Sequence, residues 1–204
     1  PGMPGDSNQW IEARHLQHLL REGYTVFCLR HNGSKTDVEN ANKIVNCPER
    51  IERSNELGQT LGNEETQSLE DIYDEVSVPL NVLGEKFDNI FLIGHSTGVA
   101  SITHSLARAP RTITDKIQQV IGIAGFIGDY DPETNAFDSE GKFDVASLTK
   151  YYEYCQQFIN LAEADELVEQ NKKLFKNIHS TELPKNIRPI LVNSMHDEYI
   201  PAST

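Results

Sequence analysis

The stretch NIFLIGHSTGVAS, residues 89–101, runs from an apolar segment into a run of small residues, with one serine set between two glycines at the junction. Residues 89–93 read as a buried strand. The helix after Ser96 carries Val99, Ile102 and Leu106 on one side. Gly94, Ser96 and Gly98 therefore fit G-x-S-x-G on a strand-turn-helix corner, the arrangement that lifts a serine hydroxyl above the carboxyl end of a parallel sheet. A turn that sharp crowds the positions two before and two after the serine, so only glycine fits there, and the serine itself is held strained. The free N–H groups of the helix that begins at Thr97 point at the place where a negative oxygen would develop. Three fixed positions match by chance in roughly 0.07 of chains this long, so the pattern gains its force from the strand before it and the helix after it. The plainer alternative is a glycine-flanked serine that merely caps an ordinary crossover helix.

Outward from that corner the chain alternates. QWIEARHLQHLLREGYTVFCLRHNGS places Ile11, Leu16, Leu19 and Leu20 at helical spacing, then Gly23 as a stop, then a β-rich run over 24–29. Residues 34–66 are long, polar and loop-rich. The next segment sets Leu69, Ile72, Tyr73, Val76, Leu80 and Leu83 on one helical face, with a kink expected at Pro79. A further apolar run, QVIGIAGFI, follows the elbow helix, and RPILVNS resumes the strands near the end. Strands separated by helices predict an α/β fold, a mostly parallel sheet with helices on both faces. Over 129–186 the pattern is helical: Tyr151, Tyr154, Cys155, Phe158 and Leu161 form one stripe, and Leu167, Val168, Phe175 and Ile178 another. The expected organisation is a core over 1–128, a helical lid or cap over 129–186, and the core continued over 187–204.

With 204 residues there is room for one sizeable core. Lys and Arg total 18 against 31 Asp and Glu, a net charge of -13, which argues against nucleic acid and anionic surfaces as partners. No apolar run is long enough to span a membrane. Cys28, Cys47 and Cys155 are widely spaced, without C-x-x-C, and read as free thiols rather than a disulfide framework or zinc site. The chain opens on PGMPGDS rather than on methionine, so a natural N-terminus is read as missing, and a cytoplasmic location is the default expectation.

Four stretches resemble the α/β-hydrolase fold family. The elbow is one. PGMPGDSNQW is similar to the family's turn after its third strand, with Pro1 where histidine is common. LRHNGS resembles the segment after the next strand, and SLEDIYDEV the helix leading to the elbow. RPILVNSMHDEYIP resembles the strand and turn that carry the acid. The resemblance implies Ser96 as nucleophile and Asp197 as the acid that orients a histidine, with Asp131 as the alternative acid. It also implies the backbone N–H groups of Met3 and Thr97 as oxyanion donors. Such a set is chemically coherent: serine needs a base, the base needs a partner to fix its tautomer, and two donors stabilise the tetrahedral intermediate.

The expected activity is a serine hydrolase that cleaves a small-molecule carboxylic ester through an acyl-enzyme, without metal or organic cofactor. A serine rather than aspartate at the elbow argues against dehalogenase and epoxide-hydrolase chemistry; thioesterase, lipase, amidase and peptidase activity stay open, as does a non-catalytic binding module on the same fold. The family's base lies beyond the acid, and here Thr204 comes seven residues after Asp197. His95 and His104 read as structural or pocket-lining, His31 as lining the site from its turn, His196 as pointing elsewhere, and His15, His18 and His179 as surface residues. The simplest account is a fragment that lacks the first strands and the histidine loop.

Overall fold

The structure, a computed structural model, describes residues 14–35, 56–57, 66–125, 145–179 and 183–193, with the backbone alone at 147 and 172–179. In chain order the elements are α1 (His15–Arg21), α2 (Leu69–Asp74), α3 (Ser77–Lys86), β1 (Ile90–His95), α4 (Thr97–Arg108), α5 (Arg111–Thr114), β2 (Ile117–Ile123), α6 (Val145–Cys155), α7 (Ala164–His179) and β3 (Ile190–Val192). The strands form one sheet in the order β1-β2-β3, and both pairings are parallel. Each strand is followed by helix before the next begins, as the hydrophobic alternation predicts.

Local chemistry explains most boundaries. The end of α1 is a Schellman motif: Gly23 N–H donates to Leu20 O at 3.2 Å and Tyr24 N–H to Leu19 O at 3.1 Å, with Gly23 at φ 88°. At the start of α2, Asp71 N–H donates to Ser68 Oγ at 3.1 Å and Ser68 N–H to Asp71 Oδ2 at 2.8 Å, a reciprocal cap. The kink expected at Pro79 is instead a full break at Glu75 and Val76, and Pro79 falls in the first turn of α3. Proline lacks the N–H that an interior position needs, and its ring would strike the carbonyl four residues back, so the helix ends and restarts ahead of it.

The run over 24–29 is not a ladder strand. It lies beside β1 through ring edges, Tyr24 on Phe91 at 5.8 Å and Phe27 on Phe87 at 5.9 Å, with Tyr24, Phe27 and Cys28 exposed. A strand becomes buried only when ladders flank it and helices cover it, and among the described residues this one has no ladder partner.

Two apolar clusters meet at α4. Ile102 and Leu106 join Ile90, Val120, Leu80 and Ile113 over one sheet face, while Ala100 belongs with Leu69, Ile72, Leu148, Tyr152 and Leu167 from α2, α6 and α7. The polar side chains along α4 are satisfied: Ser101 Oγ donates to Ile72 O at 2.9 Å and Thr103 Oγ1 to Val99 O at 2.9 Å. On the opposite sheet face the described residues leave Phe91, Ile190 and Val192 about half exposed, so the expected helical cover is seen on one face.

The described residues 145–179 hold two helices, α6 and α7, and the buried stripe of α6 differs from the predicted one. Leu148, Tyr152, Cys155 and Ile159 are buried, whereas Tyr154 and Phe158 are exposed and pack edge-on at 5.2 Å. Because α6 ends at Cys155, Phe158 sits in the following turn, where a helical period no longer applies. That turn is stitched to the body: Lys35 N–H donates to Phe158 O at 2.7 Å, Asn160 N–H to Gly33 O at 2.8 Å, and Gln67 N–H to Asn160 O at 2.7 Å. Gln170 of α7 accepts from Leu69 N–H at 2.8 Å and so closes the start of α2. No helix among the described residues is long and apolar enough to cross a membrane.

Candidate active site

Ser96 stands between β1 and α4 at φ 49°, ψ -120°, a left-handed backbone that serine adopts only under constraint. Its N–H donates to Ile123 O at 2.9 Å, the last rung between β1 and β2, and its carbonyl accepts from Val99 N–H at 2.9 Å, the first turn of α4. Between those two bonds the chain reverses within about one residue. The closeness this demands is measured at Gly94, where a Cβ would lie 2.8 Å from Val99 N and 2.9 Å from the Gly98 carbonyl carbon and oxygen. The contacts are all backbone and cannot yield.

The helix-capping alternative fails on geometry. Ser96 occupies the N-cap position, yet its side chain makes no capping hydrogen bond and its φ is not that of a capping serine. The hydroxyl is therefore not used by the helix it precedes. Three chain segments converge beside it at the carboxyl ends of the strands. Ala124, the second non-glycine at positive φ here (46°), donates its N–H to Val192 O at 2.9 Å. Gly125 N–H donates to Asn193 Oδ1 at 3.2 Å, and a Cβ on Gly125 would meet Val99 Cγ2 at 2.3 Å and Ser96 O at 3.2 Å. Asn193 thus ties the end of β3 to the turn after β2; composition and period gave no signal for it. Met3, Asp131, His196 and Asp197 lie outside the described residues, as do Cys47 and the side chains of Phe175, Ile178 and His179.

The described histidines are not arranged around Ser96 as a base. His31, expected to line the site, is buried, with Nδ1 on Glu75 Oε1 at 2.6 Å, while Asn32 N–H donates to Glu75 Oε2 at 3.2 Å. Ser101 touches Ile72, and Ser77 Oγ donates to Ser105 Oγ at 3.1 Å, so α2 and the start of α3 run parallel to α4. Glu75 then lies level with residues 103 and 104, about 10 Å along α4 from Ser96 at 1.5 Å per residue. His104 is equally far along α4, hydrogen-bonded to Arg108, and burial, then the Arg108 charge, lowers its pKa. His95 ends β1 on the face opposite Gly94 and α4. His15 and His18 are exposed on α1.

Tyr151 of α6 is in side-chain hydrogen-bonding contact with Thr97, the first residue of α4, and with the Cys155 thiol. Burial pushes the Tyr151 phenol well above its ordinary range and the Cys155 thiol up to about 11. Among the described residues no group of three His, Cys, Asp or Glu side chains is placed to hold a metal ion.

No family model and no curated protein matches this chain. Solved structures do. An extracellular α/β-hydrolase from a Paenibacillus species, which shares structural and functional homology with tobacco salicylic acid binding protein 2, superposes with a TM-score of 0.51 at 17% identity, over 98% of this chain and 78% of that one. A thermophilic esterase from Thermogutta terrifontis superposes with a TM-score of 0.52 at 16% identity, over 99% of this chain and 72% of that one. At such identities the likeness shows the fold alone, an α/β fold similar to that of these two structures.

Proposed function

We propose that the chain is a serine hydrolase acting on a small carboxylic ester, with Ser96 as nucleophile. The observation that carries this is the Ser96 backbone at φ 49°, ψ -120°, paired with a hydroxyl that does not cap its own helix. Holding a serine so costs about 1–3 kcal/mol, a strain that suits a side chain presented to a substrate. That the two solved structures above are a hydrolase and an esterase supports the same reading by analogy of fold.

In the proposed reaction Ser96 Oγ attacks the ester carbonyl carbon as a histidine takes its proton. The tetrahedral oxyanion sits at the start of α4, where the Thr97 N–H, joined by that of Met3, donates to it. Collapse expels the alcohol, which takes the proton back from the imidazolium, and water then cleaves the acyl-Ser96 ester by the same route. Asp197, four residues beyond Asn193, orients the base, and the base is a histidine outside the described residues. The helices α6 and α7 act as the cap that selects the acyl group.

A fluorophosphonate probe tests the central assignment, since it reports the nucleophile directly. Labelling should map to Ser96 and vanish in Ser96→Ala, with turnover falling on the order of 10⁶-fold. Labelling at another serine, or labelling that survives the substitution, removes Ser96 from the role.

A further inference from the structure

The ladder pairs His95 with Ile123 and Ile123 with Val192, so Ser96, Ala124 and Asn193 are the residues that follow these three at the carboxyl ends of the strands. The first two repeat one device. Each is a non-glycine residue at positive φ, 49° at Ser96 and 46° at Ala124, and each donates its N–H across the sheet at 2.9 Å, Ser96 to Ile123 O and Ala124 to Val192 O. A left-handed residue turns the chain out of the sheet, and the N–H that follows it leaves the ladder. After Ser96 the chain enters α4 at Thr97. After Ala124 comes Gly125, whose N–H is taken by Asn193 Oδ1 at 3.2 Å, a side-chain amide standing in for the missing rung. Gly125 in turn bears on the elbow: the place of its Cβ is filled by Val99 Cγ2 at 2.3 Å, with Ser96 O at 3.2 Å. The turn 123–125 therefore meets Ser96 at both ends of its backbone. Ile123 O accepts the Ser96 N–H, and Gly125 lies beside the Ser96 carbonyl oxygen.

We propose that Asn193 is a positioning residue for the Ser96 nucleophile: through Gly125, its amide oxygen holds the turn after β2 against the elbow and so keeps Ser96 in its strained backbone. This deepens the hydrolase reading and rests on it. A residue in a sparsely populated conformation stays there only where its surroundings over-determine it. Three hydrogen bonds hold the turn between the elbow and the end of β3. Two are backbone bonds that any residue except proline can make, whereas the third needs an acceptor side chain of this length at position 193. Asn193 acts on backbone, not on the reacting atoms. A nucleophile displaced from its attack geometry loses rate without losing affinity for the substrate, and that separates positioning from binding.

The test is Asn193→Leu in the full chain, which keeps the branched shape and removes the acceptor, beside Asn193→Asp, which keeps an acceptor oxygen in the same place. In Asn193→Leu the rate of fluorophosphonate labelling at Ser96 and kcat on a small acetate ester should each fall about tenfold, with KM within about twofold of the parent. Asn193→Asp should recover most of both rates. Measurement well below each variant's thermal midpoint keeps loss of folded protein out of the comparison. If the leucine variant does not fold, Asn193→Ala, which also lacks the acceptor, takes its place. Parental rates in the variant without the acceptor, a loss confined to KM, or an aspartate variant as slow as the leucine one would each overturn the proposal. If the parent protein neither labels at Ser96 nor cleaves esters, the hydrolase reading fails instead, and hydrogen exchange then decides the link. The N–H groups of Gly125 and Ser96 should both exchange about tenfold faster in Asn193→Leu, and an unchanged rate at Ser96 would refute the positioning role.

Discussion

A Cβ added to Gly94 would stand 2.8 Å from the backbone nitrogen of Val99, closer than a real Cβ comes to such an atom. Gly122, its partner in the β1-β2 ladder, faces side chains instead: a Cβ there meets Leu191 Cδ2 at 2.7 Å and Val99 Cγ1 at 3.1 Å. Side-chain ends can turn away, whereas the first turn of α4 cannot. Gly94→Ala should therefore cost the upper part of the about 1–3 kcal/mol typical of overpacking and abolish Ser96 labelling, and Gly122→Ala should cost less and retain it. Urea unfolding with probe labelling checks this, and equal losses at the two sites would contradict the backbone account.

His31 and Glu75 form a buried pair remote from the elbow, with side chains 0% and 3% exposed. Glu75→Leu strands both the His31 and the Asn32 donors, so stability should fall by about 1–3 kcal/mol per unpaired group. His31→Gln should lower the unfolding midpoint while leaving the Ser96 labelling rate of the folded protein unchanged. Loss of labelling at an unchanged midpoint would instead make His31 part of the chemistry.

Cys155 is buried and its thiol is raised from 9.0 to about 11, whereas Cys28 is exposed. The folded state binds the Cys155 proton more tightly than the unfolded chain does, so the associated stability is fully present below pH 9.0 and is lost as pH rises through about 11. Iodoacetamide at pH 8 should mark Cys28 in the native protein and reach Cys155 only on unfolding, as read by peptide mass mapping. Native-state labelling of Cys155 would show that the α6 packing opens.

Asp197→Asn should reduce kcat on the order of 10⁴-fold, because the amide favours the wrong histidine tautomer, and Asp131→Asn should have a much smaller effect. The reverse ranking in an ester-hydrolysis assay would move the acid to the segment after β2.

Tyr154 and Phe158 form an exposed aromatic pair at the end of α6, 5.2 Å between centroids. Phe158→Ala should change the preference among acyl chain lengths more than the rate on an acetate ester, as a cap residue would. A uniform loss on all esters would mean that the pair only holds the fold.

What residues 89–101 contain was legible without coordinates, because an elbow is a local object. Its glycines, its strand and its helix lie within a few residues, and backbone sterics alone dictate Gly94 and the strain at Ser96. The stop at Gly23 and the parallel alternation of strand and helix are local in the same sense. Tertiary structure decided the rest. The face of α6 that turned inward was that of Leu148 and Tyr152 rather than Tyr154, because the choice depends on what α2 and α7 present to it. The His31–Glu75 bond joins residues 44 apart in sequence, and the contact of Tyr151 with Thr97 joins two different crossovers. No hydrophobic period encodes such pairings. They exist only once chain closure has paid the entropy of bringing distant segments together, and side-chain packing then selects which polar groups meet.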